Sequence, residues 1–119
     1  MSPRIAASVR RALEDGAAIV ALESTVVTHG LPRPENLALA RGLERTVRDA
    51  GAVPATIGMV DGELVVGLSD ADLERLAAGG ADKASLWNLA ALAAAGRDAG
   101  TTVAATLHAA HLAGVAVFA

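Results

Sequence analysis

Residues 17–36 read AAIVALESTVVTHGLPRPEN, and their first six, AAIVAL, decide how the rest of the chain is read. A continuous apolar run of strand length is the signature of a strand covered on both faces, as in sheets flanked by helices. The run ends in Glu23, directly before a loop rich in hydroxyls. A glutamate rarely follows a buried strand unless its charge or its proton is used there.

Working outward, residues 4–15 read as a short amphipathic helix, with Ile5, Val9 and Leu13 every four positions and Gly16 as its stop. After the loop 23–34, Pro34 fits the first helical position and Glu35 adds negative charge to the N-terminus. The helix over about 35–50 is expected to bury Ala40, Leu43, Val47 and Ala50, leaving Arg41, Glu44, Arg45, Arg48 and Asp49 in water. AVPATIGMV and ELVVGL, joined by Asp61-Gly62, read as a β-hairpin. Ser69 to Asp72 reads as a capping box opening a helix through Leu76. A short segment around Lys83 precedes one helix after Trp87 and another starting near Thr101, and GVAVFA ends the chain as a strand. Strands alternating with helices predict an α/β architecture in a single domain, residues 1–119.

Composition narrows the function. Hydrophobic residues make up 53% of the 119, far above what disorder permits. Much of that is alanine, and with Trp87 and Phe118 as the only aromatics the core must be aliphatic. The net charge is −3 and the nine arginines are scattered, so neither a basic stripe nor stacking aromatics point to nucleic acid. A small phosphorylated ligand remains compatible. There is no cysteine, hence neither disulfide nor thiolate metal site. The N-terminus lacks a signal-type apolar region and no run approaches the ~20 apolar residues of a membrane span, so a cytoplasmic protein is expected. Val117-Phe118-Ala119 stops inside an apolar run. Two readings fit: a final strand in mid-sheet, or the front part of a longer protein.

Few residues carry chemistry. Glu23 at a strand end is either salt-bridged to an arginine or a general acid, since ligands bind at the C-terminal ends of strands in α/β sheets and burial raises a carboxyl pKa. Ser24, Thr25 and Thr28 are suited to bonding a polar ligand or the loop backbone. Lys83 is the only lysine, and it offers a compact charge for an oxyanion or an amine for a Schiff base, or simply solvates the surface. His108 and His111 share a helix face but lack a third ligand, and His29 before a glycine fits a loop-ordering role. GTTVAAT (100–106) puts hydroxyls at a helix start, where free N–H groups favour an anion. There is no Walker motif, GxGxxG, GxSxG or zinc signature.

In order and spacing, ALESTVVTHGLPRPENLALA, GAVPATIGMVDGELVVGLSDADLERLA and GTTVAATLHAAHLAGVAVFA resemble the pseudouridine-5'-phosphate glycosidases, or indigoidine synthase A-like family. The resemblance runs from residue 15 to the end. It implies an α/β/α sandwich, here incomplete, that works as a homotrimer with bound manganese. The reaction it implies is reversible cleavage of pseudouridine 5'-phosphate to uracil and ribose 5-phosphate. The base is attached through carbon, with no lone pair to protonate, so ordinary glycoside hydrolysis fails. The family's route opens the ribose ring, traps C1 on a lysine amine and expels uracil. By matching motif, Glu23 is the proton donor for ring opening, Lys83 a substrate-contacting lysine and Val103 a substrate-site residue acting through its backbone.

Two departures stand out. The family usually continues KVSRRDL where this chain reads KASLWNL. The glycine-rich TGGIGGVHRG stretch, the manganese aspartate and the Schiff-base lysine lie further on in the family, so the expected reading is an N-terminal portion, inactive alone. The alternatives are a non-catalytic sugar-phosphate-binding module, an indigoidine synthase A-like protein of pigment biosynthesis, or a fragment with no function of its own.

Overall fold

The computed structural model describes residues 1–119. Strand β1 (Arg4–Ile5) and helix α1 (Ala7–Asp15) lead into β2 (Ile19–Leu22), and one π-turn over Val26–Gly30 precedes α2 (Glu35–Asp49). The hairpin of β3 (Val53–Val60) and β4 (Glu63–Val66) is followed by α3 (Asp70–Ala77), β5 (Asp82–Ala84) and α4 (Leu89–Ala94). Then come β6 (Ala99–Thr101), α5 (Val103–Ala113) and β7 (Val117–Phe118).

Strand β3 is the hub of the sheet. Its first half pairs in parallel with β2, from Ile19 beside Val53 to Leu22 beside Thr56. Its second half is antiparallel to β4 on one edge and to β6 on the other, so Gly58 sits between Val65 and Gly100. Strand β1 adds to β4, β5 to β6 and β7 to β2, each in parallel. Alternate side chains of a strand point to opposite faces. On one face Ala55, Ile57, Met59, Leu64 and Val66 meet Val9 of α1 and Ala109 of α5. On the other, Val60 and Val65 meet Ala40 of α2 and Leu73 and Leu76 of α3. Two apolar clusters on opposite faces of one sheet make the three-layer α/β/α sandwich, and burial of Ile19, Ala21 and Leu22 accounts for the unbroken apolar run of β2.

The turns follow from local chemistry. Asp61 and Gly62 have φ of 52° and 77°, the paired left-handed conformations of a two-residue hairpin turn. Ser69 caps α3 by accepting from the Asp72 amide at 3.1 Å, while the Asp72 carboxylate accepts from the Ser69 amide at 3.2 Å.

Tertiary contacts alter four expectations. Arg4 and Ile5 are not helical but pair with Val65 and Val66, and the Arg4 guanidinium bonds Glu63 at 2.8 Å. Pro34 caps α2 from just outside it, its carbonyl accepting from the Ala38 amide at 3.2 Å. Glu44 is buried rather than solvated and Ala50 is exposed. The reason lies across the interface, where the Thr56 hydroxyl donates to the Glu44 carboxylate at 2.6 Å. The final strand β7 runs along the edge of the sheet, not its middle, with Val117 exposed.

Candidate functional site

The parallel pairing of β2 and the antiparallel pairing of β6 on the same edge of β3 have a geometric consequence. The two strands run towards each other, and their C-terminal ends meet beside Ile57. The meeting point is tied by hydroxyls. The Ser24 amide donates to the Thr101 carbonyl at 3.3 Å, and the Thr101 amide returns a bond to Ser24 Oγ at 2.8 Å. Thr101 Oγ1 donates to the Ile57 carbonyl at 2.7 Å and lies 2.8 Å from Thr106 Oγ1 on α5. Ser24, Thr101 and Thr106 are all fully buried. Gly100 is required by close approach, because a Cβ there would overlap the Thr28 side chain of the π-turn.

This junction gathers residues far apart in sequence. Glu23 leaves β2 immediately before Ser24, half-buried. One wall beside it is apolar, a groove of about 400 Å³ formed with Leu22, Val26, Leu39, Leu43 and Val47. Burial raises the Glu23 carboxyl above its ordinary value, and the Thr25 backbone N–H and the positive charge of Lys83 oppose that rise only in part. Lys83 lies in β5 opposite Gly100, with its side chain exposed. Its strand continues into a turn fixed by Asn88, which accepts from the Ser85 amide at 2.7 Å and donates to the Lys83 carbonyl at 3.0 Å. That turn presents Leu86 and Trp87 to solvent.

Val103 opens α5, half-exposed, two residues after Thr101. Thr102 caps the helix by accepting from the Ala105 amide at 3.3 Å. The first amides of a helix have no partner within it, so those of Val103 and Ala104 are donors at the junction. The charge of Lys83 bears on Glu23, and Val103 opens the helix that leaves β6, so the stretch around the junction offers an acid, a cation and backbone donors.

The histidines stand apart from this chemistry. His29 Nδ1 lies 2.7 Å from Thr28 Oγ1, a bond that orders the π-turn. His108 and His111 are exposed on α5, and no three His, Asp or Glu side chains come together anywhere in the chain to hold a cation. Sequence reasoning missed the Ser24–Thr101–Thr106 tie and the burial of Glu44. The GTT of residues 100–102 was the available signal for the first, since a glycine before two hydroxyls marks a close backbone approach. Thr25 is the one anomaly, because its hydroxyl is the only buried side-chain polar atom with no hydrogen-bond partner.

Residues 8–119 match the family model described as indigoidine synthase A like protein. The chain belongs to this family. The pseudouridine-5'-phosphate glycosidase of Thermus thermophilus is 67% identical over 100 residues, which are 84% of this chain and 36% of that protein. The protein of the same name from Salinispora tropica is 61% identical over 112 residues, 93% of this chain and 35% of its own length. Among solved structures, the prealnumycin C-glycosynthase AlnA in complex with ribulose 5-phosphate superposes with a TM-score of 0.86 at 39% identity, over 99% of this chain and 38% of that one. An indigoidine synthase A-like protein from Thermotoga maritima gives 0.86 at 33% identity over the same shares. The chain therefore has the fold of the indigoidine synthase A-like family and spans a little over a third of the length of these relatives.

Proposed function

We propose that this chain is the N-terminal portion of a pseudouridine-5'-phosphate glycosidase, with Glu23 as proton donor and Lys83 and Val103 holding the substrate. The observation that supports the reading is the carboxyl of Glu23 at the β2 strand end, raised by burial and opposed by the charge of the chain's lone lysine on the neighbouring β5. Relatives 61% to 67% identical bear that enzyme's name.

The residues divide the work as follows. Glu23, whose carboxyl is raised by burial, supplies the proton that a ribose ring oxygen needs when the ring opens. Lys83 places a compact positive charge near the sugar phosphate, and it also stabilises the carboxylate that Glu23 becomes after giving up its proton. The Val103 and Ala104 amides donate to phosphate or sugar oxygens without depending on side-chain identity. By the family resemblance, the covalent trap on a lysine amine falls to the part of the family domain beyond the matched stretch, and Lys83 keeps a substrate-contacting role. The resemblance assigns the manganese ligand to that part as well. Homotrimer formation and a cytoplasmic location complete the proposal.

The test is release of uracil from pseudouridine 5'-phosphate, followed by ultraviolet absorbance, with the chain joined to the remainder of the family domain. Glu23→Gln should lower kcat at least about a hundredfold with little change in KM, as expected for loss of a positioned acid. An undiminished rate overturns the assignment. The 119 residues alone should not turn over. A second reading is a sugar-phosphate-binding module without catalysis, in which the lone lysine only holds an anion. Calorimetric binding of ribose 5-phosphate, with no turnover even when the rest of the domain is supplied, would select it.

A further inference from the structure

Five hydroxyl side chains around the junction, Ser24, Thr28, Thr101, Thr102 and Thr106, are hydrogen-bonded. Thr25 is not. Its Oγ1 is buried, yet no group of the protein donates to it or accepts from it, and no other buried side-chain polar atom in the chain shares that condition. Native proteins pair nearly all such atoms, so an orphan one residue from the Ser24–Thr101 tie and two from Glu23 calls for a physical account.

The residue as a whole is partly exposed although its oxygen is not. Threonine carries a methyl and a hydroxyl on the same carbon, so one rotation about Cα–Cβ exchanges them. Thr25 has helical backbone angles, φ −58° and ψ −33°, and threonine in that conformation divides between two χ1 rotamers. A change of rotamer moves the hydroxyl out of its unpartnered position, in a residue that is partly exposed and directly follows Ser24 of the junction. Turning out exchanges an unsatisfied buried oxygen for one that can be bonded, which favours any ligand able to supply the partner.

We propose that Thr25 is a ligand-binding residue of this site, its hydroxyl rotating outward to hydrogen-bond an oxygen of the bound sugar phosphate. This rests on the reading above that the junction receives a sugar phosphate. It adds a residue that acts through its side chain and that helps the ligand at the expense of the fold's own stability.

Thr25→Val keeps the shape of the side chain and removes the hydroxyl, and Thr25→Ser keeps the hydroxyl. Melting by circular dichroism and calorimetric titration with ribose 5-phosphate are measured on the unsubstituted chain and both variants. The expected result for Thr25→Val is a Tm unchanged or higher by up to about 5 °C, because an unpaired buried polar group is lost. Its Kd for ribose 5-phosphate should rise about tenfold or more, while Thr25→Ser stays within about threefold of the unsubstituted chain. A lower Tm for Thr25→Val would show that the hydroxyl has a partner inside the protein and overturn the proposal. Equal affinity of Thr25→Val and the unsubstituted chain also overturns it, leaving the functional reading intact. If the unsubstituted chain, joined to the remainder of the family domain, shows no saturable binding, the functional reading and the role of Thr25 fall together.

Discussion

Two places in the molecule tie distant stretches of chain together, and they do so by opposite means. At the strand-end junction, neutral hydroxyls of Ser24, Thr101 and Thr106 bond backbone and one another in full burial. At the hairpin tip, the exposed Arg75 guanidinium of α3 gathers exposed Asp61 from the turn and half-buried Asp98 from the segment before β6. The hydrogen bond and charge of Arg75 hold the Asp61 carboxyl below its ordinary value. Both ties are dense with polar contacts, but only one is dry. A buried polar atom that loses its partner cannot turn to water, whereas an exposed ion pair exchanges protein for solvent at little cost. Precision at the candidate site therefore comes from uncharged groups, and the ions serve the periphery.

The largest effect should come from cutting the dry tie. Thr101→Val removes a donor to the Ile57 carbonyl and a partner of both Ser24 and Thr106. A loss of about 2–4 kcal/mol in urea unfolding is expected, unchanged by added salt. Arg75→Ala, although it deletes more hydrogen bonds, should cost under about 1 kcal/mol, and 1 M salt should erase most of the difference. If the two variants were equally destabilising, the contrast between dry and wet ties would fail.

The smallest effect sharpens the contrast by placing a titratable group at the edge of the dry region. The folded-state pKa of Glu23 is raised, so the fold favours the protonated form. Its contribution to stability is present below the unfolded-state pKa of 4.5 and is lost as pH rises through the folded value. Glu23→Gln, permanently neutral, should therefore melt above the unsubstituted chain at pH 7, with the difference vanishing near pH 4. The Tm difference measured across that range checks the sign. Asp61 behaves oppositely, since its depressed pKa adds stability that is lost as pH falls below the ordinary carboxylate range.

Parts of this molecule were legible because their causes are local. Asp61-Gly62 needs no distant partner to make a hairpin turn, and Ser69 and Asp72 cap α3 within one helical turn. Residues 19–22 carry their burial in their composition. The misread positions depend on what lies opposite. Arg4 and Ile5 follow a helical period but become a strand because β4 offers an open edge. Glu44 sits among arginines on α2, and its burial is tolerable because Thr56 across the interface and Arg48 one turn on both donate to its carboxylate. The candidate site divides in the same way. Glu23, Lys83 and Val103 could be named from motifs, but their convergence and the orphaned hydroxyl of Thr25 could not.

By itself, the order of residues determined the alternation of strands and helices, the aliphatic core, the caps and turns, and which side chains could carry chemistry. These depend on propensity, periodicity and neighbours a few positions away. The tertiary structure alone decided that β2 and β6 meet end to end along β3, bringing residue 24 against residue 101. Strand pairing between such distant segments is chosen by whole-sheet packing, because the backbone groups that form the ladder are the same in every residue.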